Sequence, residues 1–428
     1  MAGLRHAAML EVNEFLVLDF IRDQERTTRP EIARALGLSA SSISRMVTRL
    51  LRAGLIVESA GSSEAPGRPR ARIAFNQRAG CVIGVDLGGT KCQGGLADLS
   101  GQVLHEVRRP THGEAAPYPT LVGVIGELRA EATLRRLPVL GVAVGVPAIL
   151  DADTGVAVSG PNVQWQDFAI IPRLAADVDV PVIVENDVNL AALAHAWRGD
   201  GRRVDDFVTI SIGTGIGAAV VANGRLVKGH RNGAGEIGYL TLSADKLRQR
   251  MENGVGDFEE RASGPGIARR AAELLATSGE PSKLRAADVT PAAVFAAAAD
   301  GDTIARIVIE ETLDNVALAL VAISALLDPE RIILDGSVGR SLGPYLGQIS
   351  DRIRSRLWSE PRLVVGSLGA GATMVGAIVA ALQLVRRQTA PEIVFGAFDA
   401  GSKGRALRED RNPLAPMESG ARASASGK

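Results

Sequence analysis

The chain has 428 residues with 48 basic and 48 acidic side chains, too long for one compact core and without a global field aimed at nucleic acid or membrane. Its hydrophobic content of 46% fits a globular protein, and no apolar run is expected to span a bilayer. Two cysteines, Cys81 and Cys92, rule out a disulfide framework, point to a reducing cytoplasm and are expected to pack as small hydrophobes. The opening stretch, Met1 to Glu11, lacks the apolar core of a secretory signal.

Taken in chain order, Val12 to Phe75 form the first unit. Leu16, Val17, Phe20 and Ile21 fall at helical spacing and give a first helix an apolar stripe. Thr28 is an expected N-cap with Pro30 just inside the next helix, Glu31 completing a capping box and Gly37 closing it. Ser39 caps a third helix that buries Ile43, Met46, Val47, Leu50 and Leu51 and exposes Ser41, Ser42, Ser44, Arg45, Thr48 and Arg49. Two short helices joined by a glycine-containing turn make a helix-turn-helix. Two strand-like runs, Leu55 to Glu58 and Ala71 to Phe75, flank a wing that carries Arg68 and Arg70. From Ser39 to Arg72 six arginines face two glutamates, so this unit is locally basic within a neutral chain. Arginines on the exposed face suit phosphates and guanine edges, and a basic wing suits a narrow minor groove. A tri-helical module that binds protein would share the architecture; helix, turn, reading face and wing together favour DNA.

From Cys81 onward strands alternate with helices. Three strands (Val82 to Val85, Gly94 to Asp98, Val103 to Arg108) precede a helix from Tyr118 to Leu137, then strands at Val139 to Gly145 and Val182 to Glu185, and a helix from Asp187 to Trp197. A second lobe repeats the order from Phe207, with helices at Ile304 to Leu327 and Ala370 to Val385 and strands at Arg331 to Leu334 and Arg362 to Val365. The expectation is a duplicated α/β architecture with a cleft between lobes. Its expected bounds are 1–76 for the DNA-binding unit, 80–198 for the first lobe and 199–386 for the second, with 387–428 a disordered tail.

Two glycine turns carry the chemistry. Asp86-Leu87-Gly88-Gly89-Thr90-Lys91 follows one buried strand, and Gly213-Thr214-Gly215-Ile216-Gly217 follows another. Adjacent glycines permit positive φ and close ligand approach, and successive N–H groups in such a turn form an anion-binding concavity. Thr90 and Lys91 suit a phosphate, and Asp86 suits magnesium. One such turn is equally a plain hairpin, but two of them suggest a grip on one polyphosphate. Strands rather than helices follow both, which separates them from a Walker loop and a dinucleotide fingerprint. Glu185-Asn186-Asp187 ends a strand and opens a helix, where Asp187 can take a proton from a hydroxyl and Asn186 can bind sugar hydroxyls; either is also a good N-cap. Asn162, Glu236 and Glu259 can bridge further hydroxyls.

These motifs, with Gly67-Arg68-Pro69 closing the wing and Gly235-Glu236-Ile237-Gly238 in the second lobe, resemble the ROK family of repressors and sugar kinases, in its winged-helix repressor branch. The resemblance runs from about Val12 to Leu384. It implies an actin/hexokinase-like, ribonuclease H-like two-lobe domain behind a winged helix, with sugar-relieved repression by the regulators and ATP-dependent sugar phosphorylation by the kinases. It implies Asp187 as catalytic base and Asn162, Asn186, Asp187, Glu236, Tyr239 and Glu259 as the sugar site. Asp86, Gly88, Gly89, Thr90, Lys91, Gly213, Thr214, Gly215 and Gly217 would line the phosphates, with Gly336 and Ser337 beside adenosine.

Two departures bear on it. Tyr239 stands where the family has a histidine shared by zinc and sugar, and Glu252 to Glu259 keeps none of the family's cysteines, so no zinc is expected and that loop must be held by packing. Asp335 replaces a glycine of the adenosine motif and is expected to repel a phosphate-bearing ligand. The reading is therefore a cytoplasmic, sugar-responsive repressor of carbohydrate genes. Its expected partners are operator DNA and a sugar or sugar-phosphate effector, with no membrane, and it acts as a homodimer or homotetramer. A dimer would set its reading helices about 34–36 Å apart. No cofactor is needed for regulation; ATP and magnesium enter only in the rival reading, a hexose kinase with an accessory DNA-binding unit.

Overall fold

The N-terminal unit folds because three short apolar stripes find one another. A computed structural model describes residues 13–14, 16–60, 71–111, 116–151, 153–248 and 254–388. Helix α1 (residues 16–23) turns Val17, Leu18 and Ile21 inward. Helix α2 (Arg29–Leu36) starts where the Glu31 carboxylate accepts the Thr28 N–H at 2.8 Å, and Gly37 closes it in the left-handed region at φ 65°. Helix α3 (Ala40–Arg52) is capped by Ser39, whose hydroxyl accepts the Ser42 N–H, and buries Ile43, Met46, Val47 and Leu50. Strands β1 (Ile56–Ser59) and β2 (Arg72–Phe75) pair antiparallel, and Thr27 bridges to Ile73. This is a winged helix; the tip of its wing, with Arg68 and Arg70, lies outside the described residues.

The remainder is built twice on one plan. In the first lobe β3 (Cys81–Leu87), β4 (Lys91–Asp98) and β5 (Val103–Pro110) form an antiparallel meander. Strands β6 (Val139–Val146) and β10 (Val182–Asn186) join it in parallel, giving the order β5-β4-β3-β6-β10. In the second lobe β11 (Phe207–Ile212), β12 (Ile216–Ala222) and β13 (Arg225–Leu226) form the meander, and β14 (Arg331–Asp335) and β15 (Arg362–Val365) add in parallel, giving β13-β12-β11-β14-β15. Parallel strands buried on both faces read as unbroken apolar runs, as β3 and β6 do. A small sheet absent from the sequence expectation, β7 (Ile149–Leu150), β8 (Ala157–Gly160) and β9 (Trp165–Phe168), hangs from the first lobe, its Trp165 and Phe168 rings stacked at 4.5 Å.

Helix α4 (Pro117–Leu134) covers the first sheet with Leu121, Val124 and Leu128, followed by the short α5 (Ile170–Asp177). Helices α7 (Asp257–Ala262), α8 (Gly264–Thr277), α9 (Pro291–Ala299), α10 (Thr303–Leu327), α11 (Gly336–Ser341) and α12 (Leu346–Arg354) pack about the second. Between the sheets lie α6 (Asp187–Arg198) and α13 (Ala372–Gln388), sharing one core with Val82, Ala143, Phe207 and Ile333.

Helix α13 corrects the sequence reading twice. Placed there in the second lobe, it returns to the first: an added Cβ at Gly84 of β3 would sit 2.5 Å from the Ile378 nitrogen, so strand and helix touch backbone to side. By length and composition Gly369–Arg386 is also apolar enough to cross a membrane, contrary to expectation. Half of that stretch is buried between the sheets, which accounts for its composition. Residues 387–388 end this helix, and the rest of the expected tail lies outside the described residues.

Candidate functional site

The cleft between the lobes holds a cavity of about 340 Å³. Antiparallel pairing of β3 with β4 brings Gly88 to Lys91 to its rim, and the pairing of β11 with β12 brings Gly213 to Gly217 to the opposite rim. None of these glycines takes the left-handed φ expected of them; they serve close approach. An added Cβ on Gly89 would fall 3.0 Å from the Asn162 carbonyl oxygen, and one on Gly215 would fall 3.1 Å from the Asn162 amide nitrogen. The two turns therefore converge on Asn162. Thr90 and Thr214 hold exposed hydroxyls beside them. The Lys91 ammonium donates to the Ala370 carbonyl at 3.2 Å and to Gln93 at 3.3 Å, so its charge is anchored at the start of α13.

Asn186 is the N-cap of α6, its carbonyl oxygen accepting the N–H groups of Val188 and Asn189 at 2.9 and 3.3 Å. The cap and the site are thus the same residue, which leaves the side-chain N–H₂ for other partners. Glu185 steadies the segment from behind, accepting the Asn186 N–H, the Asn189 side chain and, across the cleft, the Lys228 ammonium at 2.6 Å. Asp187 begins the helix, and its carboxylate accepts the Val188 N–H at 2.9 Å.

Four carboxylates share this space; burial raises all of them, and neighbouring carboxylates add to it at Glu236 and Asp86. Burial pushes Asp187 up to about 6. Burial, then Asp187 and Glu259, push Glu236 up to about 7. Asp86 reaches about 7 through burial and the neighbouring Asp187, against the pull of Lys91. Burial also raises Glu259, although it accepts the Ile216 N–H at 2.7 Å. Tyr239 is half exposed at the mouth, its phenol raised by burial and then by Glu236 and Glu259. An acid near 6 inside a cleft is tuned for proton abstraction close to neutrality.

Asp335 does not stand as a repelling charge. It is buried, caps α11 by accepting the Gly336 N–H at 2.7 Å, and pairs with Arg340 at 2.6 Å and with His195 at 3.2 Å. The cation that cancels it, Arg340, lines the cavity with Gly336 and Ser337 and was not anticipated. An acid at a helix cap with a base five residues on was the available signal. Lys228 and Thr373, also unanticipated, reach the site only through tertiary folding.

Around Tyr239 the donor set does not fit zinc. Asp257 is occupied by the Leu242 N–H and by Arg261, Glu259 by Ile216, and among the described residues no group of three or more His, Cys, Asp or Glu side chains is placed to hold a metal ion. Both cysteines lie in the first lobe, their thiols pushed up to about 12 by burial. The loop is held instead by backbone contact: an added Cβ at Gly256 would lie 2.2 Å from the Gly238 carbonyl oxygen.

On the winged unit, Ser41, Ser44 and Arg45 are exposed on α3, with Ser42 and Thr48 partly so. Arg49 is exposed on the same helix, as expected. Its guanidinium pairs with the buried Glu14 at 3.0 Å, so part of its charge is spent inside the unit.

Residues 82–384 match the ROK family, which covers well over half of the chain. The chain belongs to the ROK family. Residues 10–68 match the MarR family, so the N-terminal unit of this ROK protein is a MarR-type winged helix. A xylose repressor of Caldicellulosiruptor bescii is 24% identical over 360 residues, covering 82% of this chain and 89% of that one. The crystal structure of a ROK family transcriptional regulator, a homologue of the E. coli MLC protein, superposes with a TM-score of 0.72 at 25% identity over 90% of this chain and 98% of the other. A ROK family glucokinase from Streptomyces griseus, solved with glucose and AMPPNP, does so at 0.59 and 27% identity, over 71% and 100%. The actin-like two-lobe fold is shared by regulator and kinase alike.

Proposed function

We propose that this ROK protein is a sugar-responsive transcriptional repressor of carbohydrate-metabolism genes, acting in the cytoplasm as a homodimer or homotetramer. The observation that carries it is the union in one chain of a winged helix with an exposed Ser41, Ser44 and Arg45 face and a two-lobed cavity lined by sugar-type acceptors. Asn162, Asn186, Asp187, Glu236, Tyr239 and Glu259 form its sugar site. Sugar changes operator affinity only if it binds one lobe closure better than another. Ser41, Ser42, Ser44, Arg45 and Thr48 read the major groove, while Arg49 braces the helix from the side of Glu14. Arg45→Ala should weaken binding to duplex DNA from the protein's own promoter region and reduce the salt slope by about one ion. Unchanged affinity and slope would remove Arg45 from the interface.

A second reading, sugar phosphorylation, is supported by Asp187, an acid near 6 facing the same cavity as both glycine turns. There Asp187 would take the proton of the sugar hydroxyl. Asp86 would hold the magnesium of Mg-ATP, and Gly88 to Lys91, Gly213 to Gly217, Gly336 and Ser337 would hold the nucleotide. A coupled ADP-release assay across hexoses and xylose decides it: kinase activity predicts turnover that Asp187→Ala abolishes. No turnover in the unmodified protein leaves the cavity a sensor.

A further inference from the structure

Two helices run side by side from the cavity, and one of them, α13, reaches the DNA-reading head. Both α6 and α13 begin at the cleft: Asp187, Ala372 and Thr373 line the cavity, and the Thr373 hydroxyl donates to the Asp187 carbonyl at 3.3 Å. Where they cross no side chain separates them, since an added Cβ at Gly376 would lie 1.8 Å from the Leu190 carbonyl oxygen. Two rods in backbone contact move together. At their far ends Trp197 of α6 and Leu382 of α13 both reach the Gly101 turn. One turn further along, Arg386 leaves α13 for the winged unit.

There its guanidinium pairs with Asp19 of α1, Nη2 donating to Oδ2 at 2.8 Å and Nε lying 2.7 Å from Oδ1, with Asp23 at 3.6 Å. Asp19 and Asp23 lie four residues apart on one face of α1, while Val17, Leu18 and Ile21 of the same helix are buried in the winged unit's core. A charge-assisted hydrogen bond with a second close charge contact holds the helix end against α1. The linker adds a second tether, the Leu99 N–H donating to the Gln77 carbonyl at 3.0 Å. From Thr373 to Arg386 the helix spans about 20 Å.

We infer that Arg386 is a positioning residue for the reading head: α13 carries the state of the sugar cleft to α1 through the Arg386–Asp19/Asp23 pair. The inference rests on the regulator reading above. A shift of Thr373 and Ala372 as the lobes close is transmitted along α13 rather than absorbed, and Arg386 delivers it to the helix that packs beneath α3. Sugar affinity belongs to one end of this path and operator geometry to the other, so breaking the pair uncouples them without emptying either site.

The test uses the full chain and labelled duplex from its own promoter region, with and without saturating xylose, glucose or N-acetylglucosamine. The unmodified protein should lose about tenfold or more in operator affinity with one of them. In Arg386→Gln that ratio should collapse towards one while the same sugar still raises the melting temperature by the same amount. The exchanged pair Arg386→Asp with Asp19→Arg should recover part of the ratio. A merely structural role would lower stability and leave the ratio intact. An undiminished ratio in Arg386→Gln overturns the inference; should that variant not fold, Asp19→Asn reads the same pair from the other side. If no sugar changes the operator affinity of the unmodified protein, the regulator reading itself falls and the coupling with it.

Discussion

The four carboxylates of the cleft set the residue-scale energetics. Glu236 has a folded-state value of about 7, above the value near 4.5 of an exposed glutamate, so the folded protein binds its proton more tightly than the unfolded chain does. Its contribution to stability is therefore full below pH about 4.5 and is lost as the pH rises through about 7. Glu236→Gln should melt close to the unmodified protein at pH 5 and above it at pH 8, by about 1–2 °C for each kcal/mol relieved. Calorimetry of the sugar-free protein at both values measures this, and a difference that ignores pH would contradict the assignment. The neighbouring Asp335 shows the opposite arrangement. Arg340 and His195 surround it, so an acid that looks hostile to phosphate in the sequence is neutralised in the fold.

At the scale of elements, the loop that carries Tyr239 is the one most altered from the family pattern, and its anchor is a glycine. The Phe258 N–H donates to the Leu240 carbonyl and Asp257 accepts the Leu242 N–H at 2.8 Å, while Gly256 lets the two backbones touch. Gly256→Ala must push Gly238 and Tyr239 into the cavity mouth. It should weaken sugar binding about tenfold or more in a thermal-shift titration while the winged unit keeps its DNA affinity without sugar; unaltered sugar affinity would show that the loop does not shape the site. The strands and capped helices were legible because local chemistry specifies them: Gly37 closes α2, Ser39 caps α3, β6 is an unbroken apolar run and β11 is rich in β-branched residues. The small sheet β7-β8-β9 was not, since its short strands are mixed in polarity, as in Ala157–Gly160 and Trp165–Phe168, and carry neither an apolar run nor a clear period. Neither was the return of α13 to the first sheet, which depends on Gly84 and Gly376 admitting a helix backbone from far along the chain. Each motif residue of the cavity was visible one at a time, whereas Arg340 and Thr373 join its lining, and Lys228 reaches Glu185 behind it, only through tertiary folding.

For the whole molecule, the duplicated sheets place two glycine turns on opposite rims of one cleft, and α13 leads from that cleft to the winged unit. The winged helix has its own core of Val17, Ile21, Ile32, Ile43, Val47, Leu50, Ile56 and Ile73, so it can be displaced as a body. Polar contacts between the lobes of the body below include Lys228 with Glu185, Asn232 with the Leu150 carbonyl and His195 with Asp335. A sugar that draws these lobes together changes the platform on which the head sits. The most direct measurement is the affinity of the purified full chain for duplex DNA from its own promoter region, across salt concentrations, with and without xylose, glucose and N-acetylglucosamine. The account predicts salt-dependent binding that one of these sugars weakens about tenfold or more; DNA binding that is absent, or the same with every sugar, would contradict it.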